Sequence, residues 1–226
     1  MSPRSSAREA ARTRARIVRA AVDRASTLGL AGVTVRDLAV DLGMSKSGVV
    51  APFASRGRLL ETAFDSAVAT FRAVVVEPAL ALPPGRDRLL ALLDDWVDYL
   101  VDCPFPGGCF LTTASVELDN QAGPLRERTV AAVTRWLAFL ADEAHAARPD
   151  LPADRARDLA TTINGIAMSA NQEIQLLADP AAGPRARRAM HAAVAAFAPE
   201  PAGTARARAD RAGATRERPA RPGGTA

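Results

Sequence analysis

The sequence predicts an all-α chain, and three features carry that prediction. Alanine is abundant, and it loses no side-chain entropy on entering a helix. Apolar residues recur at helical spacing along most of the chain, with no convincing strand pattern. Prolines fall between the periodic segments and punctuate them. With 48% apolar residues among 226, the chain is long enough to bury a core, but aromatics are only 4%, so Ala, Leu and Val must build most of it.

The elements follow in order. A first helix is predicted over residues 8–28, with Ile17, Ala21, Ala25 and Leu28 on one face and Gly29 ending it. Thr34 and Asp37 form a capping box for a second helix over 35–42, whose buried stripe is Val35, Leu38, Ala39 and Leu42. Gly43 supplies the positive φ of a sharp turn. Ser45 caps a third helix ending near Pro52, and Ser55 caps a fourth over 56–77 that Pro78 stops. Five further helices are expected over 85–101, 109–120, 124–147, 153–179 and 183–198. Pro124 fits the first turn of its helix. From Pro199 the chain loses its large apolar residues and cannot bury a core, so 199–226 is expected to be disordered.

Charge adds a partner class. Net charge is +4, but Arg4, Arg8, Arg12, Arg14, Arg16 and Arg19 crowd the first twenty residues against one acid, Glu9. A basic end of this kind suits a polyanion through salt-dependent counterion release; a solvated, solubilising end would read the same way. No stretch reaches the ~18 apolar residues of a membrane span, and no apolar region follows the basic start as in a secretory signal. A cytoplasmic protein with no membrane partner is expected.

Helices two and three have the layout of a helix-turn-helix. Leu38, Leu42, Met44, Val49 and Phe53 are placed to pack inward, and Ala39 lets the helices approach. Ser45, Lys46, Ser47, Gly48 and Ala51 are left facing outward, where a recognition helix meets base edges and phosphates. Thr34 and Arg36, at the start of the second helix, suit the neighbouring phosphate backbone.

The segment "RIVRAAVDRASTLGLAGVTVRDLAVDLGMSKSGVVAPFASRGRLLETAF" resembles the N-terminal module of the tetracycline-repressor family of bacterial regulators. The order "VTVRDLA..LGMSK", then Phe53, then Ser-Arg and Leu-Leu opening a long helix, is specific to it. That resemblance implies a three-helix DNA-binding domain over 8–55, preceded by a flexible basic arm at 1–7. It also implies a helical ligand-binding and dimerisation bundle over 56–198. The expected partners are double-stranded operator DNA, a small-molecule effector and a second copy of the chain. Lys46 keeps the family's motif, and Arg56 holds a position usually basic. Val50, Ala51 and Pro52 depart from it: an aromatic hydroxyl that relatives place on phosphate is missing, and Gly57 replaces a usual acid.

In the second half, Trp96, Tyr99, Phe110, Trp136, Phe139 and Met168 are the bulky apolar residues, with Thr113, Glu117, Asn164 and Asn171 as polar candidates for an effector pocket between helices. Plain core packing is the better account of each aromatic taken singly. By the resemblance the last two long helices form the dimer interface, and their small-residue faces permit close packing.

No catalytic residues, cofactor or metal ligands are expected. The chain has no glycine-rich phosphate loop, no HExxH and no G-x-S-x-G. Cys103 and Cys109 are too few for a disulfide framework and have no nearby histidine for zinc. A thiol-based redox response across their Pro-Gly loop stands as one alternative function, and a helical adaptor without DNA binding as another.

Overall fold

The computed structural model describes residues 3–198; Met1, Ser2 and the tail 199–226, expected to be disordered, lie outside them. Among the described residues the regular structure is helical throughout: α1 (Pro3–Leu28), α2 (Val35–Leu42), α3 (Lys46–Val50), α4 (Arg56–Phe71), α5 (Arg86–Val101), α6 (Phe110–Glu117), α7 (Pro124–Ala147), α8 (Ala153–Gln175) and α9 (Ala182–Phe197).

The first three helices pack around Ile17, Ala21, Val22, Leu38, Val49 and Phe53, with α4 closing the same core through Leu59, Leu60, Ala63 and Phe64. Leu28 does not join it and is exposed; Val18 and Val22 take its place on the buried face. Helix α1 begins at Pro3, so residues 3–7, expected as a flexible arm, are helical. Proline is tolerated in a first turn, where its missing N–H has no partner to lose.

Helix α3 is shorter than expected. It ends at Val50, and Ala51–Phe53 form a 3₁₀ turn. Pro52 contributes to this: it has no N–H for the α ladder, although Ala51 before it keeps αR geometry. Helix α4 leaves α geometry after Phe71 and widens into a π-helical turn over Arg72–Val76, where Glu77 N–H reaches back to the Arg72 carbonyl at 3.0 Å. The turn rotates Val74 out to solvent and leaves Val75 buried.

Helices α5, α7, α8 and α9 form the bundle around Leu89, Leu92, Leu93, Leu100, Leu140, Ile163, Met190 and Val194. Arg88 on α5 meets Glu143 on α7 in a buried bidentate pair at 2.6 and 2.7 Å. The acids Asp94 and Asp98 on α5 face α9, where Arg187 bonds to both and His191 to Asp94 at 2.7 Å. Helix α8 stops at Gln175, leaving Leu176 and Leu177 exposed, and the chain turns at Ala178 with φ 50°.

Candidate nucleic-acid interface and effector cavity

The helix-turn-helix is held by local bonds that its own sequence dictates. Thr34 caps α2: its hydroxyl accepts from Asp37 N–H at 3.1 Å and donates to the Asp37 carboxylate at 2.8 Å. Gly43 closes α2 in the left-handed region, φ 62°, as its position requires. Met44 N–H then bonds to the Ala39 carbonyl at 2.9 Å. Ser45 caps α3 through Gly48 N–H at 3.0 Å and shares a bond with the Ser47 hydroxyl at 3.1 Å. From α1, Arg24 reaches Asp37 at 3.1 Å and Asp41 at 2.8 Å, locking α1 to α2. Arg14 lies 4.8 Å over the Phe53 ring, a cation–π contact that seats α1 on the 3₁₀ turn.

This leaves Arg36, Ser45, Lys46, Ser47 and Ala51 exposed on one edge, with Gly48 half-buried behind them. The Thr34 and Ser45 hydroxyls are spent on caps, so those residues position the helices. Arg56 differs from its expected role as a DNA contact. Its guanidinium donates to the Val33 carbonyl at 2.8 Å and the Leu30 carbonyl at 3.0 Å, and so holds the α1–α2 loop against the start of α4.

The same loop is gripped from the bundle. Glu117, at the last position of α6, accepts from Leu30 N–H at 2.6 Å and Ala31 N–H at 2.8 Å, one bond to each carboxylate oxygen. It is not among the residues that line the bundle cavity, where it was expected as an effector contact. Nearby, Gly107 N–H donates to the Ser26 hydroxyl at 3.1 Å, and Arg19 donates to the Pro104 carbonyl at 2.6 Å. Gly107 must be glycine here, because a Cβ would lie 2.0 Å from the Ser26 carbonyl oxygen.

A pocket of about 260 Å³ lies between the bundle helices and opens to solvent beside the exposed Met168. Phe71, Trp96 and Leu100 border it on one side, and Leu111, Thr112 and Ser115 of α6 on another. Val133 and Trp136 of α7 and Asn164, Ala167 and Met168 of α8 complete it with Cys109. Of the predicted pocket residues, Trp96, Trp136, Met168 and Asn164 are brought together there.

The others serve elsewhere. Tyr99 is buried edge-on against Phe71 at 5.2 Å and bonds to the cysteine thiols; burial pushes its hydroxyl far above the usual phenol range. Phe110 packs on Phe64 at 5.9 Å, and Phe139 on Trp136 at 5.9 Å. The Thr113 hydroxyl donates to its own helix, at the Cys109 carbonyl, and the Asn171 side-chain carbonyl accepts from Cys109 N–H at 3.1 Å. Sequence reasoning missed Phe71, Leu111, Thr112 and Ser115. The i, i+3 spacing of Thr112 and Ser115 on a short apolar helix was the available signal.

A wider cleft of about 560 Å³ between α1 and α4 has Arg14, Arg19 and Asp65 on its walls, and its one aromatic is Phe105. Cys103 and Cys109 are unbridged, and burial pushes the Cys103 thiol up, away from the reactive thiolate. Among the described residues no helix is long and apolar enough to cross a membrane, and no group of His, Cys, Asp and Glu side chains fits a metal ion.

A capped helix-turn-helix joined by a polar clamp to a helical bundle with a pocket between its helices is the architecture of a helix-turn-helix transcriptional regulator. Residues 85–190 match the family model described as tetracyclin repressor-like, C-terminal domain. A TetR transcriptional regulator from Chloroflexus aurantiacus is 27% identical, with a TM-score of 0.72 over 83% of this chain and 96% of its own. A TetR-family regulator from Cytophaga hutchinsonii superimposes at TM-score 0.71 with 19% identity, covering 85% and 98% of the two chains. AibR, solved in complex with isovaleryl coenzyme A and operator DNA, shares the fold at TM-score 0.62 and 18% identity, over 83% and 98%. No curated protein matches the sequence. Residues 85–190 are thus a tetracyclin repressor-like C-terminal domain, and the fold of the described chain is that of TetR-family transcriptional regulators.

Proposed function

We propose that the chain is a homodimeric, non-enzymatic, cytoplasmic repressor that binds a palindromic operator and is released from it by a small, largely apolar effector. Its units are a DNA-binding domain over 8–55 and a ligand-binding and dimerisation bundle over 56–198. Two copies would set their α3 helices in successive major grooves, ~34–36 Å apart. Lys46, Arg36 and Ser47 meet the phosphate backbone, and Gly48 and Ala51 lie closest to the bases. Thr34 and Ser45 hold the reading edge in place. The copies pair through α8 and α9, where Thr161, Gly165, Met168, Gln172 and Leu176 form an exposed stripe at helical spacing.

The junction at Glu117 carries the reading. Helix α6 presents Thr112 and Ser115 to the cavity and Glu117 to the α1–α2 loop. An effector that shifts α6 therefore moves the segment from which α2 and α3 hang. It needs only to prefer the non-binding arrangement to shift the population away from DNA.

A mobility-shift series on the DNA upstream of the gene, run across salt concentrations, tests this. Lys46→Ala should weaken binding uniformly across DNA sequences and lower the salt slope by about one. Wild-type affinity and slope in this variant would remove Lys46 from the interface. A wild-type protein that ignores DNA at every salt concentration would favour the adaptor.

A further inference from the structure

We propose that the bundle cavity takes a compact, uncharged molecule carrying a hydrogen-bond acceptor, such as a ketone, ester or lactone, and discriminates against both ions and bare hydrocarbons. This rests on the effector-responsive reading above and specifies its ligand.

Trp96 and Trp136 both border the cavity, and the indole N–H of each is buried with no hydrogen-bond partner. Trp96 is 5% exposed, so a partner for its N–H other than protein can reach it only by way of the cavity. Buried donors almost always find an acceptor, and two unserved donors on one cavity wall are a specific departure. The two rings meet edge to face at 4.8 Å and 90°, a contact that supplies only part of what a carbonyl oxygen would. The neighbouring polar groups do not fill the need. Ser115 turns its hydroxyl to the Thr112 carbonyl at 2.9 Å, and Asn164 directs its amide N–H to the Met168 sulfur at 3.6 Å.

The wall also excludes charge. No lining residue is Arg, Lys, His, Asp or Glu, so an ion entering would lose its hydration without a counter-charge. A cation would need open aromatic faces, but Phe71, Trp96 and Trp136 are engaged edge to face with one another, Phe71 with Trp136 at 5.0 Å and with Trp96 at 6.1 Å. The volume, about 260 Å³, lies below the ~300–1,000 Å³ typical of sites for drug-sized ligands, which selects a single ring or a short chain.

The chain has only two tryptophans, so two indole proton–nitrogen signals report on this wall and nothing else. The full-length ¹⁵N-labelled protein is titrated with cyclohexanone, with methylenecyclohexane as its non-accepting isostere, and with cyclohexanecarboxylate and tetramethylammonium as the two ions. Cyclohexanone should shift at least one indole proton downfield and saturate. Methylenecyclohexane should bind roughly tenfold more weakly without that shift, the discrimination expected of a hydrogen bond. Neither ion should move the signals.

Trp96→Phe and, separately, Trp136→Phe keep a ring and delete one donor. Each folded variant should narrow the ketone-to-hydrocarbon preference by several-fold. The proposal fails if the hydrocarbon binds as tightly as the ketone, if either ion saturates first, or if cyclohexanone leaves both signals unmoved to its solubility limit. A mobility shift on the same samples separates the two levels. Protein that binds its upstream DNA but not the ketone overturns the ligand class alone. Protein that binds the ketone but no DNA overturns the regulator and leaves the cavity assignment.

Discussion

The reading edge and the cavity treat polar groups in opposite ways. In the helix-turn-helix the capping hydroxyls are spent on neighbours in sequence: Thr34 on Asp37, Ser45 on Gly48, Ser55 on Arg58. In the bundle two indole donors are left unspent beside an empty volume. Satisfied local bonds make a module that holds one shape. Unsatisfied buried donors make a wall whose favoured arrangement depends on what enters it. On the proposed function, the difference suits a reader that keeps its shape and a sensor that responds to its occupant, with the clamp between them.

That contrast can be broken at the clamp. Gly107→Ala should have the largest effect, because the new methyl group meets the Ser26 backbone rather than a side chain that can swing aside. We expect a loss of about 3 kcal/mol in denaturant unfolding, with the two halves melting separately. A single unperturbed transition would mean that the contact bends freely. Glu117→Gln comes next. It removes the charge that two backbone N–H groups share and sets an amide N–H against one of them. The expected cost is about 2 kcal/mol. DNA binding should persist while the response to effector is blunted, measured as the ratio of DNA affinities with and without it. An unchanged ratio would move the coupling elsewhere, with the Arg128 pairs to Glu61 and Asp65 on α4 next in line.

Arg56→Lys sharpens the assignment on the reader's side. Lysine keeps the charge but loses the guanidinium fork on the Val33 and Leu30 carbonyls, so stability should fall by about 1 kcal/mol. The salt slope of DNA binding should stay at the wild-type value. A slope lowered by about one would return Arg56 to the DNA interface. The smallest effect is expected at Asp95→Asn. Burial, with Asp98 and Asp94 beside it, pushes the Asp95 carboxyl up. A carboxyl raised in the folded state costs stability wherever it is ionised. The variant should therefore be more stable at neutral pH, by less than about 0.5 kcal/mol, and the gain should fade as pH falls below about 4. An equal gain at pH 3 would point to packing rather than charge.

Much of the reader was legible in the sequence because its determinants are local. A cap and its target stand three residues apart, and Gly43 marks the turn between helices. The ends set by Pro52 and Pro78 were legible in kind but not to the residue, since a proline can be met by a 3₁₀ turn in one place and a wide turn in another. The sensor was legible mainly as a bundle. Its cavity depends on which of several apolar residues face each other across four helices, and Trp96 and Tyr99, three residues apart, ended on different duties. Glu117 was expected at the effector pocket, but its partners are 86 and 87 residues away and are main-chain groups that no side-chain pattern announces.

That last property has a consequence for how such proteins diversify. What Glu117 holds is peptide backbone, which every residue except proline offers in the same form. Ala31, which is exposed, can drift, and the helices beyond it can acquire a new DNA vocabulary, without the hinge having to be reinvented; Leu30 stays tied to the core by its side chain. The sensor can be retuned with the same freedom, so long as α6 still ends in a carboxylate at that point. A joint made this way is a standard coupling, indifferent to the side chain on the exposed loop position it grips.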